Sequence, residues 1–158
     1  MASTYTGNNG LEKIGTGEQA GTWGTTTNTN LDIIDRAING VGSITLSGTS
    51  DDLTTTDGTA SDGHFKVLKL AGSPSGSHKL RLRPNDQQKL YFIANSSGQT
   101  VEIGQIDANG DFDTDTNSVS IATGKTAIIY ADGGGATAAK VRSIETGSES
   151  FTEDITIK

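Results

Sequence analysis

The chain has 158 residues, of which 32% are hydrophobic and 5% aromatic, with 21 glycines and a net charge of −7. This composition fits one domain, or one domain plus an arm, around a modest β core. The acid excess argues against a phosphate-backbone binder, which needs clustered Lys and Arg, and the lack of cysteine excludes disulfides, zinc–thiolate sites and thiol nucleophiles. No apolar run reaches the length that spans a bilayer. The opening "MASTYTGNNG" carries neither the basic nor the apolar region of a signal peptide. Neither nucleic acid nor a membrane is therefore expected as a partner.

Residues 1–28 show little periodicity and are punctuated by glycine, which predicts an extended arm with turns. A short helix is predicted over 30–39, capped by Asn30, with Asp32 in its first turn and Gly40 as a left-handed C-terminal residue. Leu31, Ile34 and Ile38 share one face, with Ile33 and Ala37 beside them. So short a helix is unstable alone, so its apolar face must pack on the same chain or on a neighbour.

From residue 41 the period becomes two. Strands are predicted at 43–48, 65–72, 78–84, 89–95, 100–106, 118–122, 126–132 and 139–145, with a last one at 151–158. In "HKLRLRP" Leu80 and Leu82 point inward, and Lys79, Arg81 and Arg83 point to solvent. Turns fall at Asp57-Gly58, Asp62-Gly63, Ser97-Gly98, Asn109-Gly110 and Asp132-Gly133. The expected fold is mainly β: an antiparallel β-sandwich or jelly roll over 41–158, preceded by the arm and helix of 1–40. No fixed repeat is visible, which argues against a solenoid.

The block "GLEKIGTGEQAGTWGTTTNTNLDIIDRAINGVGSITLSG" resembles a segment near the start of many tailed-bacteriophage tail-fibre-like proteins. Its specific part is the run Thr16 to Gly24, followed by Asn28 to Asn30 and the helix from Leu31 to Ile38. The resemblance extends through "TDGTASDGHFKVLKLAGS", "KLYFIANSSGQTVEI" and "VSIATGKTAIIYADGGG", so it covers roughly residues 10–145. It implies a non-enzymatic structural protein of the virion, a tail-fibre or tail-appendage component. It also implies a homotrimer whose partners are other phage virion proteins of the tail or capsid. Members usually continue into long repetitive fibre regions, whereas this sequence stops at Lys158, which keeps a capsid decoration (cement) protein as the alternative. The expected assembly interface is Trp23, Leu31, Ile34 and Ile38, since a large aromatic beside an apolar helix face makes a plausible hot spot.

Three other readings compete. In "DANGDFDTDTNS", Asp107, Asn109, Asp111, Asp113 and Asp115 alternate like the oxygen ligands of a calcium loop. The EF-hand places for Gly and Glu hold Phe112 and Ser118, so an acidic hairpin loop is preferred and no metal or cofactor is expected. His64 and His78 are expected as exposed strand-edge residues rather than members of a catalytic triad. Gly124-Lys125-Thr126 lacks the upstream glycine of a phosphate loop and reads as a hairpin turn. A carbohydrate-binding module touching a host-surface glycan ranks below assembly, because such sites usually present several exposed aromatics and most of the strand aromatics here are expected to be buried.

Overall fold

In a computed structural model, residues 2–112 and 116–144 are described. The expected strand at 151–158 lies outside them. The protein is mainly β, a two-sheet sandwich with one helix, as the alternating pattern predicts.

A small hairpin comes first, β1 (Thr4–Tyr5) with β2 (Glu12–Lys13), followed by helix α1 (Trp23–Asn39). Then come β3 (Val41–Leu46), β4 (Ser50–Thr54), a 3-10 turn at Asp62–His64, β5 (Val67–Gly72) and β6 (His78–Arg83). The chain continues through β7 (Lys89–Asn95), β8 (Val101–Gln105), β9 (Ser118–Ile121), β10 (Thr126–Ala131) and β11 (Val141–Ser143). One sheet has the order β11-β10-β7-β5-β3, the other β4-β6-β8-β9.

From β3 to β8 the chain alternates between the sheets, adding one strand to each on every circuit. The neighbours β3–β5–β7 and β4–β6–β8 therefore run parallel, and only β8–β9, β7–β10 and β10–β11 in the sandwich are antiparallel. This corrects the expected all-antiparallel arrangement. Parallel neighbours need a long return path, and here a strand of the opposite sheet supplies it in place of a helix. The result is a solenoid-like winding with no sequence repeat behind it. Gly124-Lys125-Thr126 accordingly joins β9 to β10 across the two sheets and is not a hairpin.

Period-two alternation fills the space between the sheets. Leu46, Leu68, Leu70, Ile93, Ile129 and Val141 face Leu53, Leu80, Leu82, Val101, Ile103 and Ile121, all at most 3% exposed. Asn95, 1% exposed, has all its hydrogen-bonding capacity used. Its Nδ2 donates to the Gln99 and Ile121 carbonyls at 2.9 and 2.8 Å, and its Oδ1 accepts from the Ser97 amide and hydroxyl at 3.0 and 2.7 Å. The β7–β8 turn is thereby locked to β9.

The helix begins at Trp23, seven residues before the predicted start, with Thr22 as N-cap making no side-chain bond. Gly24 and the run of threonines have poor helix propensity, but long-range contacts hold the first turns. Asn30 is not a cap: its Oδ1 accepts from the Glu12 amide at 2.9 Å and its Nδ2 donates to the Glu12 carbonyl at 2.8 Å. Gly40 is extended (φ −66°) rather than left-handed. Glycine is required there because a Cβ would run into the Arg36 backbone, and at Gly42 because it would overlap the Phe65 ring.

The arm folds back on its own chain. Lys89 Nζ donates to Asn9 Oδ1 at 3.1 Å, and the Gln88 amide donates to Asn8 Oδ1 at 3.0 Å. His64, expected at an exposed edge, is 3% exposed, and His78 is fully buried with Nε2 3.2 Å from Asp51. Both sit where the winding brings a loop or strand start under neighbouring chain. The neutral Nε2–H tautomer of His64 fits its partners: Nε2 donates to the Asn9 carbonyl at 3.1 Å, and Nδ1 accepts from the Ser61 amide at 3.1 Å. Burial, then the charge of Lys89, pushes the imidazole pKa below 6.5, and burial lowers Lys89 to about 8.

A histidine with a depressed folded pKa binds its proton more readily in the unfolded chain, so it stabilises the fold above pH 6.5 and destabilises it as pH falls below that value. Urea unfolding should therefore give a lower stability at pH 5.5 than at pH 7.5, and His64→Gln should shrink that difference.

Candidate assembly surface

Helix α1 has 17 residues, about 25 Å in length. Its inner side is fixed. Ile33 is fully buried, and Arg36 lies 4.7 Å from the Phe65 ring centroid and donates to the Ala60 carbonyl at 3.0 Å. Its outer side is apolar. At 100° per residue, Trp23, Leu31, Ile34 and Ile38 fall within about 80° of one another. They are 62%, 57%, 38% and 60% exposed. All four residues of the expected interface thus share one face, and the β core of the same chain does not cover it.

The two outer sheet faces differ sharply. On the four-stranded sheet the outward positions are polar. Asp52 on β4 is paired in register with Arg81, whose Nε lies 2.6 Å from it, and Arg83 Nε lies 2.8 Å from the same carboxylate. Lys79 Nζ is 2.8 Å from Asp111. The basic residues of β6 are thus outward, as their alternation predicts, and paired with acids of the same chain. Such pairs contribute little to stability but suit a solvated face.

The five-stranded sheet instead presents a row that crosses all its strands. Val41, Val67, Phe92 and Ile128 are in direct register, and the Ile144 amide donates to the Ile128 carbonyl at 2.8 Å just beyond β11. Leu90 and Tyr130, also in register, lie beside this row. Val41, Phe92, Tyr130 and Ile144 are 53%, 38%, 37% and 48% exposed. Val41 begins three residues after Ile38, so the helix face and the row adjoin in the chain. The pattern within each strand marks its outward residues, but their alignment into one row arises only from the register of five strands. Single exposed apolar residues need no explanation, whereas a contiguous patch marks an interaction surface.

The other sites single out no ligand. Asp107 Oδ1 accepts from the Asn109 amide at 2.7 Å and shapes a tight turn, and Asp111 is engaged by Lys79. Hydrogen bonds hold both carboxyls below their usual range, chiefly from the Asn109 amide to Asp107 and from Lys79 to Asp111. Asp113 and Asp115 lie outside the described residues. Among the described residues no group of three or more His, Asp or Glu is placed to hold a metal. A cleft of about 340 Å³ lies beside Asp107, Phe112 and Ala136, and a smaller one of about 210 Å³ beside Asn9, His64 and Lys89. Phe112 is buried, lying over Gly104, while Phe92 and Tyr130 are more exposed than strand aromatics were expected to be. Among the described residues no helix is long and apolar enough to cross a membrane. Comparison with protein-family models, curated proteins and solved structures finds no match.

The burial contrast along α1 has a direct consequence. Ile33→Ala should destabilise the chain by about 2–5 kcal/mol, whereas Leu31→Ala should change monomer stability by no more than about 0.5 kcal/mol, both read by urea unfolding at high dilution.

Proposed function

We propose that this chain is a non-enzymatic structural component of a tailed-phage virion. In this reading it is a tail-fibre or tail-appendage protein that assembles as a homotrimer and attaches to the particle through its N-terminal segment and helix. The observation that carries the reading is the uncovered face of α1. Trp23, Leu31, Ile34 and Ile38 leave an apolar stripe in water on a helix whose opposite side is fully engaged. Leaving that surface exposed forgoes about 25 cal/mol for each Å² that a partner would cover. The stripe falls within the block whose residues resemble the phage segment, so the resemblance and the exposed surface meet on one element. A scaffold whose β7–β8 turn is locked by the buried Asn95 suits a protein that binds and holds.

The second reading, a decoration protein of the head shell, draws support from the sheet. The apolar row from Val41 to Ile144 offers a broad face in addition to the helix, which suits a plate lying on a surface.

Trp23→Ala combined with Ile34→Asp should abolish oligomers and binding to particles while the β signal in circular dichroism persists. Particle binding that survives this double change would contradict the reading. Immunogold labelling of virions separates the two locations: gold at the tail supports an appendage, gold over the head a decoration protein, and unlabelled virions refute both.

A further inference from the structure

The two apolar tracts carry opposite charge. On α1 the exposed charged residues are Asp32 and Asp35, with Asp35 bordering the stripe, while Arg36 is held by the Ala60 carbonyl and the Phe65 ring. On the outer face of the five-stranded sheet the signs reverse. Register places Lys69 on one side of the apolar row, beside Ser43 and Ala94, and Arg142, which also donates to the Thr116 carbonyl at 3.4 Å, on the other, opposite Tyr130. Among the described outward positions of β3, β5, β7, β10 and β11 there is no Asp or Glu, in a chain whose net charge is −7. The charges beside the row are thus Lys69 and Arg142, both cationic, on an acidic chain.

We propose that copies of this chain associate head to tail, with α1 of one copy lying across the outer face of the five-stranded sheet of the next. This deepens the self-assembly part of the function proposed above and rests on it. Helix against helix would bring Asp35 toward Asp35, and sheet against sheet would bring Lys69 and Arg142 toward their own kind. Helix against sheet brings Asp35 toward the cationic rim, and such complementarity fixes register and partner choice. Eight large apolar side chains on the two tracts are each more than a third exposed. Their uncovered surface, four side chains from each partner, is on the order of several hundred Å², a substantial part of the roughly 1,600 Å² that a standard interface buries in total. Because the two surfaces differ, the interface is heterologous, and closure of the rotation gives a ring rather than a pair.

The absence of cysteine makes the geometry directly readable. Full-length chains carrying Ile34→Cys and Ile128→Cys are mixed and treated with a short bis-maleimide, after the mass of the unmodified protein is measured by sedimentation equilibrium. The expected result is an oligomer in which the mixed helix-to-sheet product dominates. The chain carrying both substitutions should give a ladder that ends at the ring size. An oligomer that yields mainly Ile34→Cys self-pairs, or no cross-link at either position, overturns the head-to-tail arrangement while leaving self-assembly standing. A monomer at all concentrations overturns self-assembly itself. Charge reversal gives an independent readout. Asp35→Lys should weaken association about two- to fivefold, the scale of one exposed ion pair, and adding Lys69→Glu should restore it. Additive losses would count against the pairing.

Discussion

The apolar layer between the two sheets is the constraint on which everything else here depends. Only about a third of the chain is hydrophobic, so the core is one side chain deep from each sheet, and each strand can contribute only its alternate residues. Winding from sheet to sheet lets successive strands face each other across this layer at once, Leu46 and Leu68 on one side and Leu53 and Leu80 on the other. The cost is that both outer faces look away from the core and need another solution.

The chain solves the two faces differently. The four-stranded sheet carries Asp52, Lys79, Arg81 and Arg83, which pair with acids or bases of the same molecule. That face is satisfied in water. The five-stranded sheet carries Val41, Phe92, Ile128 and Ile144, and α1 beside it carries its own apolar stripe. A sequence poor in hydrophobic residues nevertheless places them outside its core, where a partner could cover them. Rigidity supports the same conclusion: the arm is clamped through His64, Lys89 and Asn30, so α1 is presented in a fixed pose. A preformed surface loses less freedom on association.

Much of this was legible before the structure. Alternation alone put Leu80 and Leu82 inward and Lys79, Arg81 and Arg83 outward, and helical spacing put Leu31, Ile34 and Ile38 on one face. Three features were hidden for physical reasons. Strand β4 has a single core residue, Leu53, among Ser, Asp and Thr, so it carries no period. The first two turns of α1 are mostly glycine and threonine, and the bonds between Glu12 and Asn30, eighteen residues apart, help to hold what propensity does not. Strand direction and the apolar row depend on which strands neighbour each other, and a period of two says nothing about neighbours. The burial of His64 and His78 follows from the same winding.

The central claim is that the outer face of α1 is an assembly surface, and Trp23 is the chain's only tryptophan. Its fluorescence therefore reports on that surface alone. At high dilution the indole should emit as a solvated ring and be readily quenched by acrylamide. With rising protein concentration emission should shift to the blue and quenching should fall. A tryptophan that stays equally solvated and quenchable under all these conditions would contradict the account.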